Sequence, residues 1–273
     1  MLSTIELLEH VGAYAQECDI RVEDVRGQIA LGHAYVITEG SALFLDRGYL
    51  TSGHVATQTF VKGDPIGFAE IISKQIEDFE FKTIKPISLV QVDGDRIRKE
   101  VDKAGFLAKE IIRYSVARIF GRERGRLNAI FEDRLLAKYR NELIPIRYKK
   151  GDTIFNWDSH AGAMFFIEKG SIDLRTMRGK NLATLDVTEC FGESSLISGR
   201  RRSLQAVAKS DCSLLRLEED AIQPAMEKEH PLVKLALAQV LKRIHLMNQL
   251  RLIKSGDGVF EISVDIEDSE LEA

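Results

Sequence analysis

The residues that could do chemistry stand close together between Phe191 and Ala208, in the stretch FGESSLISGRRRSLQAVA. Gly192 frees the backbone for close approach to a ligand, and a carboxylate, Glu193, follows at once. Ser194, Ser195 and Leu196 come next, and three arginines and a serine, Arg200 to Ser203, close the run before apolar alternation resumes. Arginine presents a planar fork of donors that matches a phosphate, and a carboxylate accepts from a hydroxyl. Together these residue types suit a small phosphate ester that carries a hydroxyl. Simpler readings exist for each. Glu193 and Arg202 could form a surface ion pair of little value, Ser194 and Ser195 could cap a short helix, and RRRSL at 200–204 fits a basic-directed kinase substrate motif.

The order of this stretch resembles the phosphate-binding cassette of cyclic-nucleotide-binding domains. In that family Phe-Gly-Glu opens a short helix, and an Arg followed by a small residue comes nine positions after the Glu. Glu193 and Arg202 are nine apart here, and Ser203 follows. Lys149 to Leu174, KKGDTIFNWDSHAGAMFFIEKGSIDL, is similar to the family's first barrel strands. The resemblance implies that Arg202 meets a cyclic phosphate, Glu193 accepts from the ribose 2′-hydroxyl, and Gly192 lets the backbone approach. It further implies that Ser203 donates to the same phosphate, and that Phe191, Ser194, Ser195 and Leu196 complete the cassette. Leu196, Ile197 and Val207 are the expected apolar walls, and Gln239 and Arg243 weak candidates to touch the base. The implied ligand is cAMP, or else cGMP, with a cyclic dinucleotide as an alternative. No metal and no catalytic set is expected, because neither a nucleophile–base pair nor a metal cluster stands out.

Residues 2–17 carry Leu2, Ile5, Leu8 and Val11 at helical spacing, with Ser3 and Glu6 in capping-box order. Residues 25–92 change to short β-rich runs, and 95–120 return to helical spacing. The second half repeats this order. At an offset of 125, Gly67 falls on Gly192, Leu107 on Leu232, and Arg118 on Arg243, while ITEGS at 37–41 falls on IEKGS at 167–171 at an offset of 130. The expected fold class is α+β: two β-barrel, jelly-roll-like cyclic-nucleotide-binding domains, each flanked by helices. The expected boundaries are 1–120 for a degenerate copy, 121–140 for a helical connector, 141–256 for the binding domain and 257–273 for an acidic tail. The first copy is expected to stay empty, since the offset sets Phe68 against Glu193, Glu77 against Arg202 and Asp78 against Ser203.

Bulk properties agree with this reading. The chain has 273 residues and a formal net charge of -4, which argues against a general nucleic-acid binder. It has no apolar run long enough to span a membrane and no signal-peptide pattern, so a cytoplasmic location is expected. Cys18, Cys190 and Cys212 form no CxxC pair and read as small core residues. Residues 121–150 hold nine basic and four acidic residues, the composition of a solvated helical connector. Residues 255–273 hold seven acidic residues and no basic one, and the alternation from Phe260 to Ile266 suggests a strand. Val233, Leu237, Val240, Ile244 and Met247 recur in steps of four and three, the pattern of a helix–helix seam, and a homodimer through it is expected. The function expected is a non-enzymatic sensor that binds one nucleotide and signals through this helix to a protein partner. The alternative is a scaffold that binds none. A DNA-binding role needs a helix-turn-helix after the long helix, and none is expected.

Overall fold

The computed structural model describes residues 3–46, 56–76, 79–120, 134, 136–187, 189–193, 195 and 201–254. Helix α1 (Thr4–Val11) begins with the expected capping box, in which the Ser3 hydroxyl accepts from the Glu6 amide and the Glu6 carboxylate accepts from the Ser3 amide. Strand β1 (Ala15–Cys18) and helix α2 (Val25–Ala30) lead into β2 (His33–Asp46), β3 (Ala56–Val61), β4 (Pro65–Ile66), helix α3 (Phe68–Ser73) and β5 (Phe79–Asp93). These strands form one antiparallel sheet in the order β1-β5-β2-β3, with β4 laid on β2. Helices α4 (Gly94–Lys103) and α5 (Phe106–Ile119) follow.

The second half places β6 (Ile144–Tyr148), β7 (Thr153–Phe155), β8 (Ala163–Lys169), β9 (Ile172–Arg175), β10 (Asn181–Leu185), β11 (Cys190–Phe191), β12 (Gln205–Ala208) and β13 (Cys212–Glu218) in two four-stranded sheets. Their orders are β10-β9-β12-β7 and β11-β8-β13-β6. Phe165, Ile167, Ile172, Leu174 and Leu214 fill the space between them. Among the described residues no ladder joins the two sheets, so the expected barrel is an open jelly-roll-like sandwich. Helices α6 (Glu219–Glu227) and α7 (Pro231–Lys254) complete the described chain.

Strand register is alike in the two halves. Tyr35 pairs with Ile66 and Gln91 in the first, as Phe165 pairs with Phe191 and Arg216 in the second. After the short strand β4 or β11, a glycine in left-handed conformation turns the chain, Gly67 at φ 84° and Gly192 at φ 83°.

Two expectations about helices are corrected. The helical stretch 95–120 is broken at Ala104 and Gly105, both extended, and the Gly105 amide donates to the Glu229 carboxylate at 3.0 and 3.2 Å. A Cβ at position 105 would stand 2.4 Å from Glu229 Oε1, so glycine allows this contact between the halves. The seam on α7 is the second correction. Val233, Leu237, Val240 and Ile244 are buried within the chain in a core shared with the first half, where α7 packs along α1 and α5 and against α3, α4, β3 and β4. A dimer through this stripe is therefore not on offer. Periodicity shows that a helix has an apolar face but not which surface covers it. Here a surface tethered in the same chain is always at hand. Gln239 and Arg243 also face the first half: Gln239 Nε2 donates to Thr4 Oγ1 at 3.0 Å, and the Arg243 guanidinium lies over the Phe44 ring at 4.5 Å. These two, the weak candidates to touch the base, thus spend these contacts on first-half residues.

The acidic tail, its strand-like alternation and the basic connector from 121 to 133 lie outside the described residues.

Candidate functional site

Strand β11 delivers the chain to Gly192, whose left-handed backbone turns it sharply into helical Glu193 and Ser195. Two constraints make residue 192 a glycine. An L side chain rarely adopts φ 83°, and a Cβ there would stand 2.7 Å from Arg202 Nη1.

Arg202 folds inward rather than standing in solvent. It is 4% exposed, with Nη1 donating to the Gly192 carbonyl at 2.7 Å and Nη2 to the Ala163 carbonyl at 2.5 Å. Its guanidinium lies 4.2 Å above the Phe155 ring centroid. Phe155 packs in turn on Phe191 and Phe165, which stack at 5.3 Å. The backbone of Arg202 is pinned on both sides to the loop after β7: its amide donates to Ser159 O at 2.9 Å and its carbonyl accepts from Asp158 N at 2.8 Å. Nε of Arg202 is buried without a hydrogen-bond partner, and among the described residues no carboxylate forms an ion pair with it. Burial pulls this guanidinium down to about 10, with Glu193 opposing the fall, and it remains charged at neutral pH.

Glu193 is 3% exposed, and its Oε1 accepts from Arg118 Nη1 of α5 at 2.8 Å. One turn earlier on the same helix face, the Tyr114 hydroxyl donates to the Cys190 carbonyl at 3.4 Å, just before the cassette. The cassette is thus held by a helix of the other half. Cys190 and Cys212 are buried and free, as expected of core residues, and Cys18 is half-buried. Burial pushes the Cys190 thiol well up, leaving it protonated.

The structure brings Phe191, Gly192, Glu193, Ser195 and Arg202 together. Ser203 is exposed beside them, and Val207 is buried in β12. Ser194, Leu196, Ile197 and Arg200 lie outside the described residues. Three contributors escape sequence reasoning: Phe155 under the guanidinium, the Ala163 carbonyl, and Arg118. The first two are close only in space. Arg118 does carry a signal, because it falls on Arg243 in the repeat and both sit on apolar helices.

The first half is differently furnished. The rings of Phe44, Phe60, Phe79 and Phe81 pack on one another at 5.2 to 5.6 Å, and Phe68 is buried. Burial raises the Glu70 carboxyl in α3, and the charge of Arg243 works against that rise. Glu77 and Asp78, set against Arg202 and Ser203 by the repeat, lie outside the described residues.

Among the described residues no helix is long and apolar enough to cross a membrane, and no three His, Cys, Asp or Glu side chains are grouped as metal ligands would be.

Residues 145–229 match the family described as Cyclic nucleotide-binding domain. No curated protein matches the chain. Among solved structures, "cAMP bound PfPKA-R (141-441)" aligns at 14% identity over 90% of this chain and 82% of its own, with a TM-score of 0.37. The regulatory domain of Toxoplasma gondii PKA with cAMP aligns at 15% identity over 92% of this chain and 88% of its own, with a TM-score of 0.31. The EAL enzyme Bd1971 in its cAMP-bound form aligns at 24% identity over 41% of this chain and 32% of its own, at 0.35. Superpositions this loose carry no weight for ligand or role. What the match of sequence shows is the family alone: residues 145–229 of this chain belong to the cyclic nucleotide-binding domain family.

Proposed function

We propose that the protein is a non-enzymatic sensor whose second half, residues 141–256, binds one cyclic mononucleotide, cAMP before cGMP, and whose first half is a degenerate copy that binds none. The observation that carries this reading is Arg202, a guanidinium nearly removed from water, with a buried Nε left over and, among the described residues, no carboxylate in an ion pair with it. Burying a charge is costly unless it is paired. A monoanionic cyclic phosphate would supply the missing charge, and both Nη groups would exchange carbonyl acceptors for charged oxygens. Glu193 lies across the same turn, where a ribose 2′-hydroxyl would find an acceptor. In the first half four phenylalanine rings pack on one another, and the sequence offset sets Phe68 against the carboxylate. We further propose that a protein partner reads the position of α7, which leaves the second half and packs on the first.

A thermal-shift and calorimetric panel of cAMP, cGMP, cyclic di-GMP and 5′-AMP on the full chain tests this. A ligand that binds only the folded form at a hundred times its dissociation constant adds about 2.7 kcal/mol. The expected result is saturable binding of a cyclic mononucleotide at one site per chain, with no response to 5′-AMP. Trp157 is the single tryptophan and lies half-exposed in the loop pinned to Arg202, so its fluorescence offers an independent readout. A flat response to all four ligands would favour the scaffold, and two sites per chain would overturn the assignment of the first half.

A further inference from the structure

From the Arg118–Glu193 contact we infer that Arg118, carried on α5 in the first half, is a positioning residue for the second-half ligand site, holding Glu193 so that it can accept a ribose 2′-hydroxyl. The inference rests on the nucleotide reading above and adds to it the dependence of sugar selectivity on a residue outside the matched domain.

Three observations support it. First, the contact is made by Oε1 of Glu193 alone, at 2.8 Å. A carboxylate has about four lone-pair sites on two oxygens, so one such bond fixes its orientation and leaves acceptor capacity for a hydroxyl. Second, Glu193 is almost fully buried, and a buried carboxylate without a partner would swing toward water or take up a proton. Arg118 supplies the charge-assisted donor that holds it in place. The guanidinium is itself held 5.6 Å from the Tyr114 ring, while Tyr114 bonds the Cys190 carbonyl, so one helix face grips both ends of the turn around Gly192.

Third, the arrangement is reciprocal. Arg243 of α7 falls on Arg118 in the internal alignment. It reaches the other way, over Phe44 and Phe60 at 4.5 and 5.5 Å, with Glu70 of α3 close enough to feel its charge. Each half therefore sends an arginine from its last helix to the acidic turn of the other. In the first half that arginine lies against a packed aromatic cluster, whereas in the second it lies against a carboxylate. Only the second has the groups a nucleotide needs.

The test compares cAMP with 2′-deoxy-cAMP on the full chain, by calorimetry or competition, in wild type, Arg118→Met and Arg118→Lys. Methionine keeps an apolar stem over Tyr114 without the charge, and lysine restores the charge without the fork. Wild type should prefer cAMP by at least about tenfold, as expected of a hydroxyl bonded to a charged acceptor. In Arg118→Met that preference should fall toward one, through weaker cAMP binding with 2′-deoxy-cAMP little changed, and Arg118→Lys should recover part of it. Equal losses for both ligands, or an unchanged ratio, would make Arg118 merely structural and overturn the inference. Tighter cAMP binding in Arg118→Met would also overturn it, by showing that the arginine competes with the sugar. If Arg118→Met does not fold, Arg118→Lys decides alone, since full wild-type selectivity there rules out a need for the fork, whereas a reduced ratio supports it. Absence of any cyclic-nucleotide binding by wild type would sink the functional reading and this inference together, whereas binding with an unaltered ratio in both variants sinks only the inference.

Discussion

Replacing Arg202 by Gln should abolish useful nucleotide affinity while leaving the unliganded fold intact. The arginine now spends its two Nη donors on the carbonyls of Gly192 and Ala163 and rests on Phe155. A glutamine amide can still donate to one of those carbonyls, and it removes a charge that burial already disfavours. The folded chain should therefore change by no more than about 1 kcal/mol, since a net hydrogen bond is worth roughly that much and the relief of charge burial offsets its loss. Binding is a different matter. In wild type the phosphate would replace two neutral acceptors with two charged ones, at roughly 1.5–3 kcal/mol for each charge-assisted bond against about 1 for each neutral one. The net gain is about 1–4 kcal/mol, and the phosphate in the variant also meets no cation, so the loss should lie at roughly a hundredfold or more, with each 1.4 kcal/mol counting tenfold. Urea unfolding of both proteins without ligand, beside calorimetry with cAMP, separates the two effects. Unchanged affinity would refute the assigned pocket, and collapse of the unliganded fold would refute the claim that the cation is held for a ligand rather than for structure.

Gly192→Ala should cost about 1–2 kcal/mol of stability from its left-handed backbone alone, and weaken nucleotide binding because its Cβ displaces Arg202 Nη1, 2.7 Å away; thermal melts and calorimetry check both. Leu237→Ala should destabilise the whole chain by roughly 2–5 kcal/mol, because Leu237 is 2% exposed in the shared core, yet leave the mass seen in sedimentation unchanged. A drop in mass would return the seam to a dimer interface. Nucleotide affinity should be flat from pH 6 to pH 9: Arg202, at about 10, stays protonated throughout, the cyclic phosphate is already an anion, and only as pH rises through about 10 does the cation begin to be lost. A fall in affinity before pH 8, measured by Trp157 fluorescence, would point to another titrating group.

What the sequence made legible is what is local. Gly192, Glu193 and Arg202 are readable because a turn that needs φ 83° selects glycine within a few positions of the groups it aims. Element order in the second half follows from the first because strand register is alike, Tyr35 on Ile66 as Phe165 on Phe191. The inward fold of Arg202 is not readable, since which acceptors a long side chain finds depends on the Ala163 carbonyl 39 positions away. Arg118 on Glu193 is 75 positions away and belongs to packing between halves. The α7 stripe shows the limit most plainly: its spacing correctly marks a buried face, but a second copy and the first half of the same chain offer equivalent apolar surfaces to that pattern. The break at Gly105 had a visible cue in the glycine, though the carboxylate that uses it, Glu229, did not.

The path of α7 bears on how the protein comes to be folded. Its residues Leu232 to Ile244 complete a core begun by Leu7, Leu8 and Val11, so contacts that close the first half span more than two hundred positions of sequence. Such separations slow folding, because loop closure must be achieved before any burial rewards it. A nascent chain that has emerged only as far as residue 230 would leave the faces of α1 and α5 uncovered, and these are the surfaces that chaperones hold and that aggregate when crowded. Synthesis from the N-terminus would therefore not yield a finished first half followed by a second. The two halves should lock together late, in one cooperative step set by the docking of α7.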